Sequence, residues 1–562
     1  MTRLNSIAEF EQERDTILQA RATARRRITV CGGRSCAIST DGLRTALETA
    51  LNKSGLDTQA QVVVTGCPGF CEQGPFVIIG TERILYTKVT PGDAPEIVAK
   101  TIGQNEVVER LLYQDPHSGR WIVHEEDVPF YKEQHRLLMK NNGMIDPTRI
   151  EDYIAQGGYK GLACALAMTP ENVVQEIKRS GLRGRGGAGF PTGLKWETCR
   201  QVQGDIKYVI CNADEANPGA FQDRSLVDGN PHGIVEGMII GAYAIGAREG
   251  FVYIRHDYPA TVDTLRRAIQ QAGEWGLLGR NILGSGFDFD LHVHLSAGAF
   301  VCGEETALIA SIEGRVSEPV PRPPFPAEKG LWGKPTNINN AKTWAAVPYV
   351  LSHGADSYAN LGTEKSKGTT VFSLGGKINH AGLVEVPMGV TLRHIIYDIG
   401  GGIRGGKEFK AVQPGGPSGG CIPEDLLDLP VDYESLTAAG SMMGSGGLIV
   451  MDEDTCMVQV ARYFTDFNRV ESCGKCTACR EGVKQMHTLL TGITTGQGKE
   501  SDIALLEELG QTIKDGALCG LGKAAPNPVL TTIRYFRSEY EAHIRDKQCP
   551  AKVCYQDAAG EK

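Results

Sequence analysis

Apolar and polar positions alternate along the first hundred residues in a way that predicts a small α/β unit. Residues 1–27 are charged throughout and predict a helical segment. The amphipathic stretch 41–51 predicts a helix, and short apolar runs predict strands at 28–31, 61–65 and 76–80. Because elements of this length alternate, we expect a small α/β domain over residues 28–104.

The pattern changes several times beyond residue 104. Glycine is dense in the middle of the chain, short β-like runs separated by Gly-Gly pairs follow, and apolar residues near residue 510 recur at helical spacing. The predicted segments are a connecting arm (105–145), a glycine-dense α/β domain (146–352), a small β-rich module (353–440), a helical domain (441–545) and a cysteine-containing tail (546–562). The chain is therefore predicted to be an α/β multidomain protein.

Composition narrows the class of protein. The chain has 562 residues, of which 41% are hydrophobic, so several domains with their own cores are expected. The net charge is −9 and no basic stretch interleaves with aromatic residues, which argues against nucleic acid as a partner. The longest apolar stretch, 238–247, is too short for a membrane span. Sixteen cysteines without an apolar leader predict a reducing, cytoplasmic location in which thiols bind metals.

The cysteines near the C-terminus carry the sharpest signal. Cys473, Cys476 and Cys479 stand at C-x2-C-x2-C spacing, and Cys519 follows forty residues later. Three closely spaced thiolates and one distant thiolate suit a single [4Fe-4S] cluster, which moves electrons one at a time. A structural zinc is the alternative, since four thiolates also bind zinc.

A second set of four cysteines lies in the first predicted domain. Cys31 and Cys36, then Cys67 and Cys71, each follow a predicted strand. Thiolates from two such loops can hold a [2Fe-2S] cluster, and zinc is again the alternative.

A glycine-rich run over residues 181–196 predicts an anion-binding loop. It contains G-x-G-x-x-G at Gly184, Gly186 and Gly189, but an amphipathic helix at 172–179 precedes it, where a Rossmann fingerprint requires a strand. Amides without side chains still make an anion-binding surface, and Lys195 adds a charge suited to phosphate. A glycine-rich turn without a ligand is the alternative.

Three polar segments, 211–217, 302–305 and 335–340, offer amides and carboxylates that could surround a ring and its sugar chain. Any one of them alone could be a capping turn.

The tail offers a third metal-binding set. His543, Cys549 and Cys554 lack one ligand for a tetrahedral zinc site, and Cys456 is the candidate fourth; loose tail cysteines are the alternative. The remaining cysteines are predicted to be small buried hydrophobes, namely Cys164, Cys199, Cys211, Cys302 and Cys421.

The glycine run, the CNADE and CGEET segments and the ESCGKCTACREG run together closely resemble the family of flavin- and NADH-binding subunits of respiratory complex I. Closer still is the resemblance to the beta subunit of soluble NAD-dependent, electron-bifurcating hydrogenases and related formate dehydrogenases. It covers residues 28–554. It implies a thioredoxin-like [2Fe-2S] domain, a Rossmann-like FMN domain, a β-grasp domain of the SLBB type and a helical bundle with one [4Fe-4S] cluster.

The resemblance also assigns residues. FMN contacts fall on Gly184, Arg185, Gly186, Gly187, Lys195, Asn212, Asp214, Glu215, Gly303, Glu304, Asn339 and Asn340. NAD(H) is expected to stack on Phe190 and Phe325, with Glu305 toward its adenosine half. A zinc site is implied at Cys456, His543, Cys549 and Cys554. No side chain is assigned as a general acid or base, because hydride transfer between nicotinamide and flavin needs none.

The chain differs in three places from the family that it resembles. Thr198 replaces a second stacking phenylalanine and Asn217 replaces an acidic residue, and both changes bear on nucleotide affinity and on the choice between NADH and NADPH. The chain also ends eight residues after Cys554, where hydrogenase-type subunits usually continue into a two-cluster ferredoxin domain.

The expected function is that of an NADH-oxidising, or NAD-reducing, subunit of a soluble complex. Hydride passes between NAD(H) and FMN, and single electrons pass to iron–sulfur clusters. One alternative is the FMN subunit of a bifurcating complex that couples NAD(P)H, ferredoxin and a third couple; another is a non-catalytic relay or scaffold. The implied partners are a small [2Fe-2S] thioredoxin-like subunit, a catalytic hydrogenase or formate dehydrogenase-type subunit and a ferredoxin-like subunit.

Overall fold

The structure is a computed structural model that describes residues 3–32, 40–116 and 118–554. Its first unit has a four-stranded sheet in the order β2-β1-β3-β4, in which β1 runs parallel to β2 and antiparallel to β3. The elements are α1 (Ile7–Ala22), β1 (Arg26–Cys31), α2 (Asp41–Ser54), β2 (Ala60–Thr65), β3 (Val77–Ile79), β4 (Ile84–Tyr86) and α3 (Ala94–Ile97). A π-helical turn, Val98–Gln104, follows α3.

The connecting arm has little regular structure but is well packed. It contains β5 (Tyr113–Gln114), β6 (Trp121–Ile122) and α4 (Pro129–Lys132). Phe130 is fully buried and stacks on Phe70 at 4.1 Å between ring centroids. The arm therefore shares an apolar core with the first unit and with the later β-rich module.

The central domain is built on a fully parallel sheet in the order β10-β7-β8-β9. The two central strands, β7 and β8, are almost wholly buried, as expected where a parallel sheet is covered on both faces. The elements are α5 (Ile150–Ala155), α6 (Lys160–Leu166), α7 (Pro170–Arg179), α8 (Thr192–Gln201), β7 (Tyr208–Ala213), α9 (Gln222–Gly229), α10 (Pro231–Ile245), β8 (Glu249–Arg255), α11 (Pro259–Glu274), β9 (Asp290–Ser296), α12 (Glu305–Ile312), β10 (Thr336–Asn340), α13 (Ala341–His353) and α14 (Ala355–Ala359).

Helix α7 confirms the prediction that a helix precedes the glycine run. The Thr169 side chain accepts a hydrogen bond from the Asn172 amide, and Pro170 occupies the first turn, so both start signals of a helix are present. Val173, Val174 and Ile177 form its buried face.

The β-rich module is a five-stranded mixed sheet in the order β12-β11-β15-β13-β14. Its elements are β11 (Thr369–Gly376), β12 (Gly382–Pro387), β13 (Phe409–Pro414), β14 (Ile422–Pro423), α15 (Tyr433–Ala438) and β15 (Gly447–Asp452). Strand β15 lies at the centre of the sheet, parallel to β11 and antiparallel to β13. The predicted boundary between residues 440 and 441 is therefore wrong, because pairing partners distant in sequence leave no local signal.

The last unit is helical, as predicted. It consists of α16 (Met457–Val470), α17 (Thr477–Thr494), α18 (Ser501–Gly516), α19 (Gly520–Ala524) and α20 (Asn527–Glu541). The periodic residues Ile503, Leu506 and Ile513 of α18 are buried in its core. Across the described ranges, we find no helix with the length and apolar composition that crossing a membrane requires.

Candidate functional site

A cavity of about 610 Å³ opens at the carboxyl end of the central sheet. Chain order reverses there, because β8 and β9 lie on one side of β7 and β10 lies on the other. Open α/β sheets bind ligands at such a switch point. Asn212 pairs with Asn340 across β7 and β10, so the two predicted amide segments lie side by side in the wall of the cavity.

The glycine loop between α7 and α8 forms a second wall. It is closed by a hydrogen bond from the Gly184 amide to the Phe190 carbonyl, 2.8 Å. A Cβ atom at Gly187 would lie 3.2 Å from the backbone of Gly444, and one at Gly189 would lie 2.6 Å from the Tyr433 ring. Both glycines also have positive φ, so the loop admits no larger residue at either position.

Arg185 does not reach the cavity, which corrects its predicted phosphate contact. Its side chain is 2% exposed and donates hydrogen bonds to the Thr369 carbonyl and the Tyr358 hydroxyl, both at 3.0 Å. The loop glycines turn their backbone toward the cavity while this arginine turns away and anchors the loop to the start of β11.

Charged and aromatic side chains surround the mouth of the cavity. Lys195 forms an ion pair with Glu305 and donates to the Ile338 carbonyl at 2.7 Å. Phe190 and Phe325 are 51% and 53% exposed and line the same cavity. The mouth therefore presents two rings and a partly neutralised lysine, and it also contains Thr198 and Arg322.

Two carboxyl groups that line the cavity have raised pKa values. Burial raises the pKa of Asp214 to about 6, and its Oδ2 atom has no hydrogen-bond partner among the described residues. Burial and the neighbouring Asp223 raise the pKa of Glu215 to about 7. The Glu304 carboxylate has a structural contact instead: it caps α12 by accepting hydrogen bonds from the amides of Thr306 and Ala307. Gly303, Asn339 and the other predicted contacts, Arg185 apart, also line the cavity.

The same wall contains a buried ion pair that the sequence did not predict. Lys342 and Asp223 are 1% and 3% exposed at their side chains, and Lys342 Nζ lies 2.6 Å from Asp223 Oδ1. Lys342 also donates to the Ser445 carbonyl at 2.7 Å, and Asn340 donates to Asp223. Lys342 stands in the largely apolar helix α13, and that position is the one sequence signal for the pair.

The cysteines of the second site come together as predicted. Cys473, Cys476, Cys479 and Cys519 line one small cavity. Cys476 and Cys519 are the N-cap residues of α17 and α19, so both thiols stand at helix starts. Phe300 and Leu521 line this cavity and the larger one, so the two sites are neighbours.

Three of the four N-terminal cysteines are described, and Cys36 lies outside the described residues. Cys31 ends β1, and Cys67 and Cys71 follow the parallel strand β2. All three therefore lie at the carboxyl end of these two strands. Backbone amides donate to two of the sulfurs: Phe76 to Cys31 at 3.2 Å and Gly69 to Cys67 at 3.3 Å. A hydrogen bond from Cys71 lowers the pKa of the Cys67 thiol, which favours a thiolate.

The tail set also converges. One donor atom each from Cys456, His543, Cys549 and Cys554 lies within 4.8 Å of the other three. Cys456 Sγ is 3.7 Å from Cys554 Sγ and 3.6 Å from His543 Nε2. A tetrahedron with zinc–sulfur bonds of about 2.3 Å has edges of about 3.8 Å, so the spacing fits zinc. His543 Nδ1 lies 2.7 Å from the Glu539 carbonyl, which leaves Nε2 to face the metal.

Four of the five remaining cysteines are buried, as predicted, and the fifth, Cys164, is less buried than predicted. Cys199, Cys211, Cys302 and Cys421 are buried and Cys164 is half-buried. Burial raises the pKa of Cys199 and Cys421 to about 12, which keeps both thiols protonated.

Comparison with known families follows the same division of the chain. The family described as the Nuo51 FMN-binding domain matches residues 177–349, which include the glycine loop and the strand ends around the large cavity. The NADH-ubiquinone oxidoreductase-F iron-sulfur binding region matches residues 459–543, which include Cys473 to Cys519. The fold and the two cavities thus define a flavin and iron–sulfur subunit of an NAD(H) oxidoreductase, as the sequence predicts.

Similar proteins identify the family. The NADP-reducing hydrogenase subunit HndC of Solidesulfovibrio fructosivorans is 57% identical over 423 residues, which are 75% of this chain and 86% of that protein. The F subunit of the NADH-quinone oxidoreductase of Escherichia coli (strain K12) is 42% identical over 416 residues, 74% of this chain and 94% of that protein. The chain belongs to the family of NADH-quinone oxidoreductase F subunits.

A solved structure extends the likeness to nearly the whole chain. The crystal structure of an NAD+-reducing [NiFe]-hydrogenase in its H2-reduced state has a chain that is 26% identical, with a TM-score of 0.66. The match covers 97% of this chain and 93% of that one. It confirms the predicted α/β multidomain architecture.

Proposed function

We propose that the large cavity holds FMN with NAD(H) beside it, and that electrons leave through a [4Fe-4S] cluster at Cys473, Cys476, Cys479 and Cys519. Bound FMN would supply the chemistry that turns a two-electron hydride into single electrons. The observation that carries this proposal is the shared wall: Phe300 and Leu521 line both the large cavity and the cysteine cavity.

The residues around the large cavity fit FMN. Its volume of about 610 Å³ lies within the usual range for ligand sites, roughly 300–1,000 Å³. Amides of Gly186 and Gly187 would face the phosphate, since no side chain stands between them and the cavity. The unpartnered Oδ2 atom of Asp214 has the burial of a group that pairs with a ligand hydroxyl. Asn212 and Asn340 supply further amides in the same wall.

NAD(H) would enter through the mouth. Phe190 and Phe325 expose the ring faces that a nicotinamide dinucleotide needs for stacking, and Glu305 stands beside them. Thr198 supplies no ring there, so stacking rests on these two phenylalanines. Glu305 is already paired with Lys195 and with Arg322, 3.3 Å from it, so these cations reduce the repulsion that a lone carboxylate would exert on phosphates.

The non-catalytic scaffold is disfavoured by the large cavity, because a chain that only carries clusters has no need of a polar pocket with an unpartnered carboxylate oxygen. A bifurcating complex uses the same site with additional redox partners. We assign it second place, since the name of HndC, a subunit of an NADP-reducing hydrogenase, supports a hydrogenase partner and names no third redox couple.

The two outer metal sites complete the proposal. We assign a [2Fe-2S] cluster to Cys31, Cys36, Cys67 and Cys71 in a thioredoxin-like domain, supported by the position of the three described cysteines at the carboxyl end of β1 and β2. We assign zinc to Cys456, His543, Cys549 and Cys554, supported by the tetrahedral spacing. The module with strands β11 to β15 would be the β-grasp domain. The partners would be a small [2Fe-2S] subunit, a hydrogenase or formate dehydrogenase-type catalytic subunit and a ferredoxin-like subunit.

The test is an anaerobic optical titration of the purified full-length chain. We expect one FMN per chain that NADH bleaches, with cluster absorbance falling in the same titration. Parallel titration with NADPH measures the nucleotide preference. A chain that binds no flavin when reconstituted with FMN would contradict the proposal and favour the scaffold.

A further inference from the structure

The contact between the flavin-binding cavity and the cysteine cavity is thin. Phe300 begins the turn that leads into Gly303 and Glu304 of the large cavity, and Leu521 is the second residue after Cys519. Both side chains are half-buried and each lines both cavities. Any electron that passes directly between a ligand in one cavity and a cluster in the other crosses this two-residue partition.

Residues of the helical domain hold the loop that carries Cys473 and Cys476 against this partition. Glu471 is the C-cap residue of α16 and directly precedes Ser472 and Cys473. Its Oε2 atom accepts a hydrogen bond from the Phe300 backbone amide at 2.8 Å. The Phe300 ring packs edge-on against Phe467, one helical turn earlier, at 5.3 Å between centroids.

A second contact on the same loop limits its freedom to tilt. Lys475 Nζ donates to the Pro319 carbonyl at 2.8 Å and lies 3.6 Å from Glu318. Of the two fastenings, the Glu471 contact is the one made to a residue of the partition itself. A charge-assisted hydrogen bond to a backbone amide is also among the stronger single contacts available.

We propose that Glu471 is a positioning residue that sets the gap between the flavin and the [4Fe-4S] cluster, and that electrons cross at Phe300 and Leu521. The inference rests on the proposed function, since it needs FMN in the large cavity. In each crossing the flavin loses one electron and the cluster gains one, and no covalent bond in the partition forms or breaks. The proton released by the flavin leaves to water through the open mouth of the cavity.

The experiment compares Glu471→Ala, Glu471→Gln and the parent, each as the full-length chain loaded with FMN and clusters. Stopped-flow absorbance after mixing with NADH follows flavin bleaching and cluster bleaching separately. Electron paramagnetic resonance of the dithionite-reduced protein measures cluster content and line shape independently of turnover. Glu481→Gln is the matched control, because Glu481 is an exposed carboxylate two residues after Cys479 that pairs with Arg480 and does not touch the partition.

Glu471→Ala is expected to bleach its flavin at the parent rate and to reduce its cluster about tenfold more slowly, since misplacements near ~1 Å can cost up to ~100-fold. Glu471→Gln keeps an oxygen acceptor for the Phe300 amide and should stay close to the parent, as should Glu481→Gln. Parent-rate cluster reduction in Glu471→Ala, with full cluster content, would overturn the proposal. Equal slowing in both Glu471 variants would also overturn it, by assigning the effect to the lost charge. If NADH fails to bleach the parent's flavin, the proposed function itself fails.

Discussion

Breaking the buried pair between Lys342 and Asp223 is expected to loosen the whole flavin cavity. Lys342→Met removes the cation and leaves the Asp223 carboxylate, 3% exposed, facing an apolar thioether. It also removes the hydrogen bond to the Ser445 carbonyl, which ties the central domain to the β-rich module. Asn340 would remain as a donor to Asp223, so part of the carboxylate stays satisfied.

The magnitude follows from the burial of the pair. Removing one partner of a buried ion pair costs about 3–5 kcal/mol, because the remaining charge is uncompensated. For a domain of this size, with a urea dependence of about 3 kcal/mol per molar, the unfolding midpoint should fall by about 1–1.7 M. The double variant Lys342→Met/Asp223→Asn removes both charges and should recover most of that loss, since neutral replacements of buried pairs are often tolerated.

A urea titration followed by flavin fluorescence reports the release of FMN, and so it measures the loss of stability at the cavity itself. We expect Lys342→Met to release FMN at a lower urea concentration than the parent and the double variant to lie near the parent. Arg266→Met serves as a control, because Arg266 is exposed and its nearest carboxylate, Asp263, is 3.9 Å away. A midpoint for Lys342→Met equal to that of the parent would refute the reasoning, as would a double variant as weak as the single one.

Three further predictions concern other sites. Cys476→Ser should leave NADH-dependent flavin bleaching intact and abolish transfer to downstream acceptors; onward transfer at the parent rate would contradict the cluster assignment. Arg185→Lys should raise the Kd for FMN several-fold, since a lysine cannot span the oxygens of Thr369 and Tyr358 together, and fluorescence titration of the apoprotein checks this. Burial raises the pKa of Glu236 from 4.5 to about 7 in the folded chain. The folded state therefore binds this proton more tightly than the unfolded state. The resulting stabilisation is fully present below pH 4.5 and is lost as the pH rises to about 7. The stability advantage of the parent over Glu236→Gln should accordingly shrink by about 3 kcal/mol between about pH 4.5 and about pH 7 in urea titrations. A constant difference would show that folding does not raise the pKa of Glu236.

The sequence predicted the sites whose residues lie close together along the chain. The C-x2-C-x2-C spacing located the main cysteine cavity, and His543-x5-Cys549-x4-Cys554 located three of the four converging tail ligands. The glycine loop was found from composition, and the helix before it was recognised as incompatible with a standard dinucleotide fingerprint, as α7 confirms. Each of these features is encoded within a few neighbouring residues.

Features that depend on distant segments were missed. Strand β15 joins the β-rich sheet through β11, some seventy residues earlier, so the predicted boundary at 440 fell inside the sheet. Arg185 has the charge of a phosphate ligand, but Tyr358 and Thr369 lie where its guanidinium can be fully satisfied away from the cavity. The ion pair of Lys342 and Asp223 could not be deduced, because neither residue belongs to a spaced motif.

The wall of the large cavity has a consequence for how the protein is made. Gly184 and Ser445 line the same space but are separated by more than two hundred residues, and Gly444 packs against Gly187. A growing chain therefore cannot enclose the flavin until synthesis has passed residue 445 and the β-rich module has docked. A ligand held by both walls adds its full binding free energy only once both walls are in place. Bound FMN in a purified chain therefore indicates that the central domain and the β-rich module have folded together.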